Sequence, residues 1–120
     1  MKQLILILAL VFSFASGQAQ EKKDAKKKKN VEHVISVNGN CEMCKKRIEK
    51  AAYSVKGVKS AQWHQDHQDM HVIIDETKTS IDEVHQAVAK AGHDTKKAKA
   101  DDKTYEKLHH CCQYERLKDN

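Results

Sequence analysis

Residues 31–99 predict an α+β fold, a sandwich with the element order β-α-β-β-α-β. Three observations carry that prediction. Apolar residues alternate with a period of two over 31–37, 58–64 and 70–75. They recur at helical spacing in two other stretches, 44–55 and 81–91. Glycine or polar turn residues stand at most of the boundaries.

In the first strand, Val31, His33, Ile35 and Val37 alternate with Glu32, Val34 and Ser36. Asn38-Gly39-Asn40 breaks it. Cys44, Ile48, Ala51, Ala52 and Val55 then give a helix, with Gly57 at its C-terminal cap. Strands over 58–64 and 70–75 flank the polar loop 65–69 and form a hairpin. Ser80-Ile81-Asp82-Glu83 matches a capping box, in which the Ser hydroxyl and the Glu carboxylate satisfy free N–H groups at a helix start. Ile81, Val84, Ala87, Val88 and Ala91 form that helix's apolar stripe, and Gly92 ends it. A short fourth strand is expected over 95–99. Tyr105, Leu108 and Cys111 or Cys112 fall at helical spacing, so residues 100–120 are expected to form a C-terminal helix docked on the domain. Trp63 reads as a core residue, and His33 and His85 as surface or edge residues.

The ends of the chain carry a different signal. Residues 1–19 read as a signal peptide: Lys2, an apolar run over 4–14, then Ala15, Ser16, Gly17 and Ala19. The run is shorter than the roughly 20 residues a bilayer-spanning helix needs. No Cys follows it, so no lipoprotein attachment site is seen. Export to a periplasm or out of the cell follows as the expectation. Residues 20–30 read as a Lys-rich linker. Much of the formal charge of +5 sits in the run 22–29 and says little about the folded surface. Basic and aromatic residues are not interleaved, which argues against a nucleic-acid partner. With 120 residues, the chain suggests one domain with extensions.

The chemistry concentrates in Gly39-Asn40-Cys41-Glu42-Met43-Cys44. Two cysteines at this spacing straddle a loop and the first turn of a helix. Thiolates there gain from free N–H groups and the helix dipole, and Lys45, Lys46 and Arg47 add positive charge. Soft thiolates select soft ions. Two sulfurs suit a low-coordinate ion such as Cu(I) or Hg(II), whereas Zn(II) usually takes four ligands. Met43 reads as an exposed spacer.

These features resemble the heavy-metal-associated domain family of copper chaperones, copper-transporting ATPase domains and periplasmic mercury-binding proteins. The resemblance covers about residues 31–99. It rests on Val37-x-Gly39, Cys41-x-x-Cys44, the helix after it, Gly57-Val58 and Ala91-Gly92-His93-Asp94. It implies a ferredoxin-like fold and metal transfer through Cys41 and Cys44, with a metal-transporting ATPase, an efflux pump or a metalloprotein as partner. The family usually has Gly-Met-x-Cys before the first Cys; here Gly39-Asn40-Cys41 is one residue shorter and lacks the Met. Where members often carry an aromatic or Lys after the second helix, this chain has His93.

In that topology, Cys41, Cys44, His93 and His67 share one end of the domain. A C-terminal helix of about 14 residues spans roughly 21 Å, long enough to return to that end. His93, His109, Cys111 and Cys112 are therefore further candidate ligands. His64, His67 and His71 sit in or near the hairpin and read as exposed. Two other functions compete with a metal carrier. One is a thiol–disulfide redox protein, which in its thioredoxin-like form needs a cis-Pro facing the cysteines; this chain has no Pro, and Asn40 precedes Cys41. The other is a disulfide-stapled secreted domain, resisted by the adjacency of Cys111 and Cys112. No constellation for catalysis stands out.

Overall fold

A computed structural model describes residues 27–116. The expected signal peptide and most of the Lys-rich linker lie outside the described residues. Strand β1 (Val31–Ser36) leads through the cysteine loop into helix α1 (Glu42–Tyr53). Strands β2 (Val58–His64) and β3 (Asp69–Ile74) form the hairpin, and helix α2 (Ile81–Lys90) follows. The sheet is antiparallel with β3 in the centre, in the order β1-β3-β2. Val31 pairs with Ile74 on one side of β3, and His64 with Asp69 on the other.

One face of the sheet builds the core. Ile35, Ala61, Trp63, Met70, Val72 and Ile74 are buried there with Ile48 and Ala52 of α1 and Val84 and Val88 of α2. The opposite face carries Glu32, Val34, Gln62 and His71, as strand alternation requires. The fold is ferredoxin-like α+β.

Several elements depart from the sequence reading. Helix α1 starts at Glu42, two residues early, because Cys41 takes the N-cap position with extended backbone and its carbonyl accepts from the Lys45 N–H at 3.0 Å. The capping box at Ser80 is not made by side chains: Ser80 gives no cap hydrogen bond, and the Glu83 carboxylate accepts from the Thr79 hydroxyl at 2.6 Å. The fourth strand shrinks to one bridge, Val37 to Thr95. Its cause is local. The Thr95 hydroxyl captures the N–H groups of Lys97 and Ala98 at 3.2 and 3.0 Å, folding the chain into a turn instead of a ladder. His85, read as a surface residue, is buried and meets the same hydroxyl at 2.6 Å. Burial lowers its pKa, so it stays neutral.

The C-terminal segment also differs. In place of one long helix there is a short helix α3 (Asp102–Glu106), and then a 3₁₀ turn, His110–Cys112. Because no fourth strand carries the chain away, the segment stays near the α2 exit: the Ala100 N–H donates to Asp94 Oδ1 at 2.7 Å. Leu108, Cys112 and Tyr114 are buried into the main core.

Candidate metal centre

Four segments meet at one end of the domain, and each is fixed by an identifiable contact. The cysteine loop rests on Trp63. That ring is 1% exposed, and its Nε1–H donates to the Val37 carbonyl at 3.0 Å. A Cβ at Gly39 would stand 3.0 Å from the ring and 3.1 Å from Cys44 Cβ, so a side chain there would press on both and glycine lets the loop lie close. Trp63 thus supports the loop from beneath. The β2–β3 turn holds the loop from the side: Gly39 N–H donates to Gln68 Oε1 at 3.0 Å, and the Gln65 amide donates to the Asn40 carbonyl. Lys45 crosses to the Trp63 carbonyl at 3.0 Å.

The four cysteines all carry free thiols. Cys41 Sγ lies 3.4 Å from Cys44, 3.2 Å from Cys111 and 3.4 Å from Cys112. Cys111 and Cys112 are 3.9 Å apart, and Cys111 lies 3.6 Å from the Met43 thioether. Cys41 is therefore the hub of the cluster. It is half-buried, Cys44 and Cys112 are buried, and Cys111 is exposed.

The protons are unevenly distributed. Burial works against ionising Cys41. Hydrogen bonds outweigh it, from the Cys111 thiol, the Cys44 backbone, and the Cys112 and Cys44 thiols, and the pKa falls to about 6. Cys41 is a thiolate at neutral pH. Burial pushes Cys44 up to about 12, only partly countered by the Asn40 N–H, which reaches its sulfur at 3.4 Å. The contact with the Cys41 thiolate pushes Cys111 up to about 11. An anionic Cys41 beside Cys44 and Cys111, which hold their protons, is an arrangement ready to exchange protons for a soft cation.

The histidines fall differently from the sequence reading. His93 is fully buried; it donates Nδ1–H to the Asn38 carbonyl at 2.8 Å and stacks on Tyr114 at 5.5 Å between centroids. Burial lowers its pKa. It ties the loop after β1 to the α2 exit and to the C-terminal segment. Its Nε2 has no hydrogen-bond partner. His109 and His110 are exposed beside the cysteines, and His67 is exposed in the hairpin turn. His64, Asp69 and His71 form a separate group on the outer sheet face, with His64 Nδ1 3.3 Å and His71 Nε2 3.8 Å from Asp69 Oδ1.

Two residues of this end were missed from the sequence: Tyr114 and Arg116. The Tyr114 hydroxyl accepts from Asp94 N–H at 2.7 Å and donates to the Gly92 carbonyl at 2.8 Å. The Arg116 guanidinium grips the Asp94 carboxylate through Nε and Nη2 at 2.9 and 3.0 Å. The available signal was an aromatic and an Arg two and four residues beyond Cys112, in an otherwise polar tail.

Comparison with known proteins places this arrangement. Residues 29–94 match the heavy-metal-associated domain. A copper chaperone, CopZ, of Staphylococcus haemolyticus (strain JCSC1435) is 31% identical over 67 residues, 55% of this chain and 98% of that protein. Among solved structures, a CopZ metallochaperone superposes with a TM-score of 0.53 at 26% identity, over 54% of this chain and 98% of its own. Oxidized MerP from Ralstonia metallidurans CH34 gives 0.53 at 28% identity, over 55% and 93%. With more than half of its length matched and the two-cysteine loop at the start of α1, the chain belongs to the heavy-metal-associated domain family.

Proposed function

We propose that the protein is an exported, non-enzymatic carrier or scavenger of a soft metal ion, Cu(I) before Hg(II) or Zn(II), received on Cys41 and Cys44. The observation that carries this reading is the Cys41 thiolate at the N-cap of α1, 3.4 Å from Cys44. A soft anionic sulfur with a second thiol alongside favours a thiophilic, low-coordinate ion. The similarity to a copper chaperone supports Cu(I), and that to MerP keeps Hg(II) as the second choice. Export rests on residues 1–19. No helix among the described residues is long and apolar enough to cross a membrane. A copper-transporting ATPase, an efflux pump or a metalloprotein is the natural partner for a carrier of this kind.

Metal binding here is proton exchange. Cys41 enters already ionised above pH 6, while Cys44 must release its proton as the metal–sulfur bond forms. Cu(I) affinity is therefore expected to hold near neutrality and to fall as the pH drops through about 6, where Cys41 protonates. The test is titration of the reduced protein with Cu(I) against bicinchoninate at pH 7.5 and 5.5. Tight binding with one or more ions per chain, weaker at the lower pH, is the expected result. Failure to compete with the chelator at either pH overturns the copper reading and leaves the thiol–disulfide alternative.

A further inference from the structure

The C-terminal segment lies beyond the family match, which ends at residue 94, yet it is docked more firmly than a tail needs to be. Leu108, Cys112 and Tyr114 are buried in the core. Tyr114 bridges Gly92 and Asp94 by two hydrogen bonds, and its ring meets Tyr105 edge-on at 5.0 Å. Arg116 binds Asp94 in the two-pronged geometry that makes Arg–carboxylate pairs specific, and also reaches Asp102 at 2.6 Å. Its guanidinium lies over the Tyr105 ring at 5.0 Å. These contacts fix the 3₁₀ turn that presents Cys111 and Cys112 to Cys41.

We propose that residues 108–116 are a built-in strap whose Cys111 and Cys112 complete a three-sulfur Cu(I) site with Cys41, closing over an ion first received by Cys41 and Cys44 so that the protein retains copper rather than passing it on freely. This rests on the Cu(I) reading above.

Geometry favours the added ligands. A metal–thiolate bond of about 2.3 Å requires about 4.6 Å between two sulfurs in a linear arrangement, and about 4.0 Å between sulfurs in a trigonal one. Cys41 and Cys44 at 3.4 Å are too close for a linear ion. Cys41, Cys111 and Cys112, at 3.2, 3.4 and 3.9 Å, need to open by less than about 1 Å to reach the trigonal spacing. The chemistry balances without an electron transfer: copper stays as Cu(I) and keeps its bond to Cys41, the copper–Cys44 bond breaks and Cys44 takes up one proton, and Cys111 and Cys112 each release one proton to solvent as their bonds to copper form. The docking contacts are made before any ion arrives, so little conformational freedom remains to be lost on closure.

The experiment compares the full chain with Cys111→Ser, with Cys111→Ser/Cys112→Ser and with Tyr114→Phe, each loaded with one equivalent of Cu(I). Copper X-ray absorption counts the sulfurs, and bathocuproine disulfonate measures the rate of copper loss. Cys111 is exposed, so its single substitution keeps the fold even where the buried Cys112 does not tolerate change. The strap account expects three sulfurs in the wild type, two in either cysteine variant, and copper loss at least tenfold faster in both. Tyr114→Phe is expected to keep three sulfurs but to lose copper faster, because it loosens the strap and spares the ligands. Two sulfurs and the same loss rate in wild type and Cys111→Ser overturn the strap while leaving the Cys41–Cys44 carrier intact. A wild type that takes up no Cu(I) overturns both.

Discussion

Replacing Cys41 with Ser is expected to weaken Cu(I) binding by about 100-fold or more, or about 2.8 kcal/mol at roughly 1.4 kcal/mol per tenfold. No other single substitution in the cluster should cost as much. Cys41 is the sulfur that touches the other three, at 3.2 to 3.4 Å, and it is the one held as a thiolate. Without it, Cys44 still holds its proton because it is buried, and the sulfur that joins the cluster is gone. The same substitution should leave stability unchanged or slightly raised. Cys41 caps α1 without a side-chain hydrogen bond, and Ser is among the preferred residues at that position. Bicinchoninate competition beside a urea unfolding curve separates the two effects. A loss of stability that parallels the loss of affinity would assign Cys41 a structural role instead.

Trp63→Ala should carry the largest stability cost, about 3–5 kcal/mol, as is usual for deleting a buried large aromatic. The ring is the largest fully buried side chain in the domain and underlies Gly39 and Cys44. Its removal also leaves the Val37 carbonyl without the indole donor. A domain of this size has about 5–15 kcal/mol in total, so a large drop in the urea midpoint is expected. Gln62→Ala, on the outer sheet face one residue earlier, should change it by less than about 0.5 kcal/mol. Equal midpoints for the two variants would refute the view that the cysteine loop rests on Trp63.

Much of this fold was legible from local pattern. The strands pair as the alternation required, and α1 and α2 bury the stripes that Ile48, Ala52, Val84 and Val88 outlined. What the sequence hid were the places where a side chain competes with the backbone. The Thr95 hydroxyl turns a would-be strand, and Thr79 draws Glu83 away from a capping role. His85 looked like a surface residue because nothing nearby in sequence shows that the turn at Thr95 folds over it. The two-cysteine loop could be read directly, since spacing, helix start and soft chemistry coincide there. That Cys111 and Cys112 reach it was expected for a different reason, a long helix running back across the domain. They arrive through a short helix and a 3₁₀ turn, because the missing fourth strand leaves the chain at the metal end. Tyr114 and Arg116 were not legible, because their partners, Gly92 and Asp94, are distant in sequence and reveal themselves only in the fold.

The most direct test is an amide NMR titration of the reduced, ¹⁵N-labelled protein with one equivalent of Cu(I). If the ion sits on the cysteines, the large shifts fall on Asn40, Cys41 and Cys44, with a second group on Cys111 and Cys112, and the outer sheet face stays still. Shifts centred on His64, Asp69 and His71, with the cysteine loop unmoved, would contradict the account and place the metal on the opposite side of the sheet.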